Sequence, residues 1–369
     1  MTPPLAGLKV LELARILAGP WAGQVLADLG AEVTKVESPA GDDTRTWGPP
    51  FVDNPDGSRD AAYFHACNRG KTSHVIDFTT AAGQAQVRAL AAEADVLIEN
   101  FKVGGLARYG LDYASLAAVN PRLVYCSITG FGQNGPYAHR AGYDYIVQGM
   151  SGMMSLTGEP DGAPQKIGVA MADITTGLYA VIAIQAALAM RTRTGRGQHI
   201  DMALFDSMVG VLANQAANYF ASGINPPRLG NAHVNIAPYA VFETADGWFI
   251  LAVGNDGQFA RFCTVVGIEP SPGWATNAGR VADRDALTAA VTAATRSFAR
   301  DDLLARLEAA GVPAGPINTV EQALADSQIA ARGMVLDHPP IRGLRTPIRF
   351  SDAELALGRP APRKGSGDA

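Results

Sequence analysis

Residues 9–37 read KVLELARILAGPWAGQVLADLGAEVTKVE, and this segment determines the fold that the sequence predicts. KVLELA (Lys9–Ala14) and EVTKVE (Glu32–Glu37) have the composition of buried strands, and WAGQVLADLG between them has helical periodicity. Strand and helix patterns continue to alternate through SHVID, QAQVRALAAEA, DVLIENF and LVYCSITGFG. This alternation predicts an α/β fold with a parallel sheet and helices on both of its faces.

The loops after the predicted strands are the expected place for a ligand, because parallel sheets bind ligands at the carboxyl ends of their strands. These loops are Arg15–Pro20 (the first loop), Asn68–Lys71, Asn100–Gly105 and Gly130–Gly135. The first loop opens a βαβ unit of the type that binds dinucleotides. However, its AGPWAG does not match G-x-G-x-x-G, and Pro20 lacks the N–H that would bind a pyrophosphate. A nicotinamide or flavin site is therefore disfavoured.

The composition excludes several classes of protein. The chain has 369 residues, of which 47% are apolar and 18% charged, and its net charge of −5 argues against nucleic-acid binding. Three widely spaced cysteines predict no disulfide framework, and the six histidines never occur in H-x-x-x-H spacing, so no metal site is expected. The start lacks a signal-peptide pattern, and the apolar run Leu178–Met190 is too short to span a membrane. We therefore expect a cytoplasmic protein with no membrane partner.

The second half of the chain predicts a change of domain. A long helix is expected from Ile174, and a second one ends near Ala221. NPPRLGNAH (Asn225–His233) is rich in turn residues and predicts a domain boundary. VFETADGWFILAVG predicts a hairpin that turns at Asp246–Gly247. The tail GRPAPRKGSGDA predicts disorder.

The stretch GVAMADITTGLYAVIAIQAALAM is the most informative for chemistry, because it delivers Asp173 to the start of an apolar helix. An ordinary helix N-cap is the commoner explanation of such a residue. The functional interpretation is a carboxylate in an apolar environment that attacks an acyl group. Three basic residues at the predicted strand ends, Arg69, Lys71 and Arg108, suggest together an anionic ligand such as a nucleotide diphosphate.

These segments together resemble class III CoA-transferases, the family that also contains α-methylacyl-CoA racemases and formyl-CoA transferases. The matching pieces run in order along nearly the whole chain: VLELARILAGP, LGAEVTKVESPAGDDTRTWGPPF, NRGKTS, LIENFKVGGLARYGL, YCSITGFGQNGPYAHRAGYDYIVQGMSG, GVAMADITTGLYA and TGRGQHIDMALFDS. Within the family, GDDTRTWGPPF, RAGYD and GPIN look most like succinate–hydroxymethylglutarate CoA-transferases.

The resemblance implies a fold and an assembly. A Rossmann-like large domain would cover residues 1–222 and be completed by residues 333–369, and a smaller α+β domain would cover residues 223–332. Two chains threaded through each other would form an interlocked homodimer. The low fraction of charged residues agrees with a large interface.

The resemblance also implies a mechanism, in which Asp173 forms an aspartyl-CoA thioester. CoA would enter as an acyl-CoA substrate, with no tightly bound cofactor. We expect succinyl-CoA as the donor and a small dicarboxylate, similar to glutarate or hydroxymethylglutarate, as the acceptor. The implied CoA contacts are Leu17, Ala18, Lys71, Asn100, Phe101 and Arg108.

A dicarboxylate needs a partner for its far carboxylate, because a buried unpaired charge is strongly disfavoured. Ser38 stands where some of these transferases have an arginine, and Arg45 is a candidate to replace that basic contact. Arg45 is also our first choice for the far carboxylate. The full set of candidates is Arg15, Arg45, Arg140, Tyr143 and His233.

Three other functions compete with this hypothesis. An acyl-CoA racemase would have histidine in a G-H-D step, where this chain has Gly142-Tyr143-Asp144 and so lacks a base for proton exchange. A transferase of the formyl-CoA or carnitine type would share the same chemistry with other acids. A non-catalytic acyl-CoA-binding protein would have no need of Asp173 in a matched motif.

Overall fold

The structure is a computed structural model that describes residues 1–54 and 56–368. The chain forms two compact units. Unit 1 contains residues 1–153, 166–223 and 327–369, and unit 2 contains residues 154–165 and 224–326. The segment 154–165 in unit 2 lies within the range that the sequence assigned to the large domain. The turn residues of this segment, GEPDGAP, look like an ordinary surface loop of the large domain, so the sequence did not mark it as part of unit 2.

Thirteen strands are found in the described residues. They are β1 (Lys9–Glu12), β2 (Glu32–Glu37), β3 (Phe51–Asp53), β4 (Arg59–Ala61), β5 (Thr72–Val75), β6 (Val96–Glu99), β7 (Val124–Thr129), β8 (His199–Ala203), β9 (Tyr239–Thr244), β10 (Gly247–Ala252), β11 (Ala314–Pro316), β12 (Val335–Leu336) and β13 (Gly343–Leu344).

The main sheet of unit 1 has the order β5-β2-β1-β6-β7-β8, and all five neighbouring pairs are parallel. The predicted α/β fold with a parallel sheet is therefore confirmed. The strand order reverses between β1 and β6, because β1 pairs with β2 on one side and β6 on the other. Ligands of such sheets bind beside this reversal, which is where the first loop begins.

The α-helices connect and cover these strands. They are α1 (Ala18–Asp28), α2 (Ala62–Cys67), α3 (Ala81–Glu93), α4 (Tyr113–Val119), α5 (Asp144–Met150), α6 (Met153–Leu156), α7 (Met171–Thr194), α8 (Leu204–Gly210), α9 (Ala213–Ser222), α10 (Asp256–Val266), α11 (Asn277–Ala282), α12 (Arg284–Thr295), α13 (Arg300–Ala309), α14 (Val320–Ala325) and α15 (Ser327–Ala331).

Two hydrophobic layers enclose the main sheet. On one face, Val10, Val96 and Ile98 pack against α1 and α7. On the other face, Leu97 and Tyr125 pack against residues of α3 and α4. Both faces of the central strands are thus buried, as is usual for a parallel sheet.

Helix α7 is the central helix of the first layer. By length and composition it is apolar enough to cross a membrane, a test that the core helix of a globular protein also passes. Its residues Ala180 and Ile184 are buried in the first layer. Gly177 lets α7 approach α1 closely, because a Cβ there would lie 2.7 Å from the carbonyl oxygen of Ala18.

A group of charged side chains is buried below α1. Glu12 at the end of β1 binds Lys35 of β2 at 3.0 Å and Lys71 before β5 at 2.8 Å, and all three side chains are at most 1% exposed. Helix α1 passes directly over this group at Gly23, where a Cβ would collide with Glu12 Oε2. A glycine is therefore required at this point of α1.

The C-terminal tail is ordered against unit 1, so the prediction of disorder was wrong. Gly367 donates to the carbonyl of Ser73 at 2.8 Å, and Pro360 accepts from the N–H of Gly70 at 3.2 Å. Arg45 binds the carbonyl of Pro362 at 3.2 Å. The tail lies along the free edge of β5 and satisfies backbone groups there, which its polar composition could not reveal.

Unit 2 has its own sheet and core. Its strands are ordered β11-β10-β9, and the predicted hairpin is confirmed, with Thr244 of β9 opposite Gly247 of β10. Phe242, Phe249 and Phe262 belong to a core shared with α10, α12 and α13. The guanidinium of Arg280 is fully buried there and binds Asp256 at 2.7 Å.

Candidate active site

Asp173 lies in the first turn of α7, at the third helical position. The N-cap is Ala170, which supplies no side-chain hydrogen bond, so Asp173 is not the N-cap that its sequence position suggested. Its carboxylate is partly buried. No hydrogen bond or ion pair reaches it from residues 1–54 and 56–368. Asp173 is therefore free to meet a ligand.

Asp144 takes the capping role at the start of α7. One carboxylate oxygen accepts the N–H of Ala172 at 2.7 Å, and the other accepts from the Gln148 amide at 2.8 Å. Asp144 reaches this place because Gly142 packs backbone to backbone against Gly130, directly after β7. The sequence motif Gly142-Tyr143-Asp144 thus serves to position α7, a role that sequence reasoning missed.

The environment raises the pKa of Asp173 to about 7. The larger cause is burial, which penalises the charged form, and the second is repulsion by the carboxylate of Asp144. At neutral pH the carboxyl group is therefore divided between its ionised and protonated forms. Strongly shifted carboxyl groups of this kind are typical of catalytic sites.

Tyr63 of α2 is a second residue that sequence reasoning missed. Burial and the nearby charge of Asp173 raise the pKa of its hydroxyl to about 12. The Tyr63 ring also packs edge-on against Trp47, with centroids 5.6 Å apart. The hydroxyl remains protonated, and α2 therefore brings a hydrogen-bond donor into the electrostatic neighbourhood of Asp173. A lone tyrosine in AYFHAC offered no pattern that could have identified it.

The first loop lies beside α7 through the contact of Ala18 with Gly177, one turn after Asp173. The N–H groups of Leu17, Ala18 and Gly19 have no hydrogen-bond acceptor within the described chain. These residues are buried at the start of α1. Buried N–H groups without partners are rare in proteins, and a helix start attracts anions and carbonyl oxygens. This arrangement suits the implied CoA contacts of Leu17 and Ala18.

Asn100 and Phe101 follow β6 and support the first loop from below. The Asn100 amide accepts the N–H of Arg15 at 3.0 Å and donates to its carbonyl at 2.6 Å. Phe101 packs edge-on against Phe78 and lies under the Arg15 guanidinium at 5.8 Å. The Asn100 side chain thus supports the first loop, and the expected contact of Asn100 and Phe101 with CoA stays a prediction.

Lys71 is not placed to contact a phosphate, which corrects the sequence expectation. Its side chain is buried, and Nζ binds Glu12 at 2.8 Å, the carbonyl of Pro20 at 2.8 Å and Asn68 at 2.9 Å. Arg69 is likewise held internally, in a two-pronged ion pair with Asp28. Both basic side chains stabilise unit 1.

Arg45 also belongs to the interior, so our first choice for the far carboxylate was wrong. Its side chain is 6% exposed and binds Glu37 through two hydrogen bonds of 2.8 and 2.7 Å. It also pairs with Asp60 at 2.9 Å and lies 3.6 Å from the ring centroid of Phe64. Arg45 therefore cannot replace the basic contact that is missing at Ser38.

The remaining candidates in unit 1 differ in their partners. Arg15 is exposed but pairs with Asp43 at 2.9 Å. Arg108 and Arg140 are exposed and form no ion pair with any described residue; their guanidinium groups lie over Tyr109 and Tyr137, each at 4.6 Å. Tyr143 is 60% exposed at the start of α5.

His233 lies in unit 2. Its ring packs against Tyr239 at a centroid distance of 5.2 Å, and its Nδ1 accepts the N–H of Asn235 at 3.0 Å. Its carbonyl accepts from Arg284 at 2.7 Å. The ring thus contributes to the structure of the linker region that the sequence marked as a boundary.

A search for metal ligands found no suitable group of histidine, cysteine or acidic side chains in residues 1–54 and 56–368. The three cysteines are free and buried. The polar groups of the described residues that have no partner here include the Asp173 carboxylate, the amide groups of Leu17, Ala18 and Gly19, and the guanidinium groups of Arg108 and Arg140, which form no ion pair.

Comparison with known proteins identifies the family to which the chain belongs. The model of "CoA-transferase family III" matches residues 5–367. This chain belongs to CoA-transferase family III. The resemblance seen in the sequence is therefore confirmed, and the protein is an enzyme that transfers CoA.

Individual relatives of this transferase are similar over most of their length. A succinate–glutarate CoA-transferase of Agrobacterium fabrum is 58% identical, with 100% of this chain and 94% of the relative covered. A human succinyl-CoA:glutarate CoA-transferase is 40% identical, with 98% and 84% covered. The crystal structure of a CAIB/BAIF family protein from Brucella suis has a TM-score of 0.91 and 65% identity, and the match covers 99% and 97% of the two chains.

We predict that Asp173→Asn abolishes CoA transfer and stabilises the transferase at high pH. Asparagine has nearly the same shape but carries no carboxylate that could act as a nucleophile or ionise. In the wild type, the raised pKa means that stability is lost as the pH rises from about 4 through 7, where the buried carboxyl group ionises. The melting temperature of Asp173→Asn should exceed that of wild type at pH 8, with a smaller difference at pH 5. Equal melting temperatures at both pH values would contradict the assigned environment of Asp173.

We predict that Asp144→Asn shifts the pH profile of the transferase to lower pH. The asparagine oxygen can still accept the N–H of Ala172, but the charge that repels the Asp173 carboxylate is removed. The acidic limb of kcat/KM, which the Asp173 pKa of about 7 leads us to expect near pH 7 in the wild type, should therefore move to lower pH. Glu93→Gln, which removes an exposed acid that pairs with Lys9, is the control and should leave the profile in place. An unshifted profile in Asp144→Asn would remove that residue as the cause.

Proposed function

We propose that this enzyme transfers CoA from succinyl-CoA to glutarate or a closely related dicarboxylate, with Asp173 as the nucleophile. The observation that carries the proposal is the Asp173 carboxylate, which has a pKa near 7 and no partner within the described protein. The names of the relatives at 58% and 40% identity support this pair of acids. CoA thioesters would be substrates, and no bound cofactor is required for this chemistry.

The proposed reaction is a series of acyl transfers between CoA, Asp173 and the two acids. An Asp173 oxygen attacks the thioester carbonyl of succinyl-CoA, and the CoA thiolate leaves to give a mixed anhydride. The thiolate then attacks the Asp173 carbonyl and expels succinate, which gives an aspartyl-CoA thioester. Glutarate attacks that thioester and releases the thiolate, which in turn attacks the glutaryl carbonyl. Glutaryl-CoA and the Asp173 carboxylate are formed, with no net gain or loss of protons.

The CoA moiety is proposed to lie along the carboxyl edge of the sheet, between the first loop and Arg108. The unpaired N–H groups of Leu17 and Ala18 offer hydrogen bonds to a carbonyl or phosphate oxygen. Arg108 offers a guanidinium that no described acid neutralises, and such a group favours phosphate. Phe101 stands between these two elements and adds apolar contact.

We predict that Arg108→Ala raises the KM for succinyl-CoA with little change in kcat. A hydrogen bond to a charged group contributes about 1.5–3 kcal/mol, so the increase should be about tenfold to a hundredfold. Arg193→Ala, at the far end of α7, removes an equally exposed arginine and should leave KM unchanged. If both variants have the wild-type KM, the phosphates of CoA lie elsewhere.

The far carboxylate of the acceptor is proposed to bind Arg140. Of the arginines expected from the sequence, Arg45 is enclosed by Glu37 and Asp60, and Arg15 shares its charge with Asp43. Arg140 has no such partner, and it precedes by four residues the Asp144 that caps α7. Its loop packs on the end of β7 through Gly142 and Gly130. The alternative binding site for this carboxylate is Arg15.

We predict that the wild type uses glutarate as an acceptor far better than butyrate, which has only one carboxylate. Arg140→Met should reduce the rate with glutarate and erase most of this preference, whereas Arg15→Met should retain it. The measurement is initial rates with succinyl-CoA, with products identified by mass spectrometry. If wild type uses butyrate as well as glutarate, the dicarboxylate assignment fails while CoA transfer stands. Conversion of an acyl-CoA stereocentre without an acceptor would favour the racemase alternative instead.

A homodimer is proposed as the working form, because large apolar side chains remain exposed on two helices of unit 1. On α7 these are Leu178, Tyr179, Ile182 and Met190, and on α9 they are Tyr219 and Phe220. Apolar groups of this number mark an interaction surface in proteins.

A cytoplasmic location is also proposed for the protein. Its three free cysteine thiols fit a reducing compartment.

We predict that the protein is dimeric at nanomolar concentration, because interlinked chains cannot separate without unfolding. Mass photometry at about that concentration should show particles of twice the 38.6 kDa of one chain. A main peak at the mass of a single chain would rule out the interlocked arrangement.

A further inference from the structure

The first loop is held in place mainly by side chains. The carbonyl of Ala14 accepts from Lys35, and that of Pro20 accepts from Lys71. Asn100 binds both backbone groups of Arg15. Ordinary loops leave such groups to water or to other backbone groups. This loop is therefore fixed before any ligand binds.

Ile16 is the strained point of the loop. Its φ is 72°, in the left-handed region that β-branched residues avoid. Its N–H donates to both carboxylate oxygens of Asp42 at 3.3 Å, and the Cys67 thiol donates to its carbonyl at 3.5 Å. Such a conformation persists only where surrounding contacts enforce it, and strain of this kind is concentrated at functional sites.

Asp42 is itself held rigidly. Its carboxylate binds Lys35 at 2.8 Å, and it accepts the N–H and hydroxyl of Thr44 at 2.9 and 2.7 Å. Lys35 also binds Glu12 and is 1% exposed, while Asp42 is 3% exposed. A chain of buried charges thus runs from the end of β1 to the N–H of Ile16. Buried ion pairs add little stability compared with apolar packing. The presence of these linked ion pairs beside the first loop therefore needs an explanation other than stability.

We propose that Asp42 is a positioning residue for CoA transfer, which holds Ile16 in its left-handed conformation and so presents the amide groups of Leu17 and Ala18 to bound acyl-CoA. The proposal rests on the proposed function, because it requires acyl-CoA to bind at the first loop. Ile16 is the turning point: without the left-handed conformation there, the chain would leave β1 in another direction. The amide groups of Leu17 and Ala18 would then leave their place beside α7, where Ala18 packs against Gly177.

The test uses the rescue of one substitution by another. Asp42→Ala removes the acceptor that enforces Ile16, and kcat/KM for succinyl-CoA should fall roughly a hundredfold, as expected for a displaced binding group. Adding Ile16→Gly should restore at least a tenth of the wild-type value, since glycine adopts the left-handed conformation without strain. The glycine supplies no replacement for the Asp42 acceptor, so a recovery of kcat/KM beyond any change in melting temperature would come from the restored backbone conformation.

The matched control is Arg191→Met, which breaks a partly buried ion pair with Asp95 at the opposite edge of the same sheet. It should lower the melting temperature without the loss in kcat/KM, and Ile16→Gly should give it no benefit. Hydrogen exchange of the amides of residues 15–19 should accelerate in Asp42→Ala and not in Arg191→Met. If Asp42→Ala does not fold, Asp42→Asn keeps the volume of the side chain, and the same rescue and exchange pattern is expected with a smaller loss.

The proposal is overturned if Asp42→Ala loses no more activity than Arg191→Met at a similar melting temperature. It is also overturned if Ile16→Gly fails to rescue, or if exchange in residues 15–19 is unchanged. The proposed function fails separately, if wild-type enzyme transfers no CoA from succinyl-CoA. In that case the exchange measurement still decides whether Asp42 holds the loop.

Discussion

A carboxylate with no access to water is the constraint on which unit 1 depends. Glu12 ends β1 with a fully buried side chain, and Lys35 and Lys71 bind its two oxygens. One such charge without a partner would cost several kcal/mol, so the three groups must come together as the sheet forms. Since they belong to β1, β2 and the start of β5, their meeting fixes the carboxyl ends of β1 and β2 against the beginning of β5. Helix α1 can cover them only because Gly23 has no side chain.

Because several cationic side chains pair with acids inside the protein, they are not available to bind a substrate. Lys35, Lys71 and Arg45 all bind acids inside the protein. Burial works against each charge, yet the carboxylates of Glu12 and Asp42 raise the pKa of Lys35, so the Lys35 ammonium group stays charged at neutral pH. No described cation pairs with Asp173. Its pKa is therefore free to rise, which a neighbouring lysine or arginine would have prevented.

The sequence could predict the fold but only part of the site. Strands such as KVLELA and DVLIEN are apolar enough to identify, and the motif around Asp173 is specific. The roles of Lys35 and Glu37 were not predictable, because in EVTKVE they look like the solvent side of an alternating strand. They face α1 instead, since partners for both charges come from elsewhere: Glu12 lies 23 positions from Lys35, and Arg45 lies 8 from Glu37. Asp144 was missed for the same reason, because it caps a helix that begins 27 residues later.

The electrostatics of Asp173 also suit the proposed reaction, in which all the partners are anions. The proposed substrates, succinyl-CoA and glutarate, both carry a free carboxylate, and the carboxylate of Asp144 repels negative charge on Asp173, the proposed nucleophile. An Asp173 with an ordinary pKa would be fully ionised, repelling the incoming acids while being a weak nucleophile. With a pKa near 7, part of the enzyme meets its substrate with a neutral carboxyl group, and the ionised part is the more reactive for its higher basicity. The raised pKa of Asp173 does not affect the far carboxylate of the proposed acceptor, which stays charged throughout the reaction. That carboxylate must be balanced by a cation that the protein does not already use, and this requirement favours Arg140 over the buried Arg45.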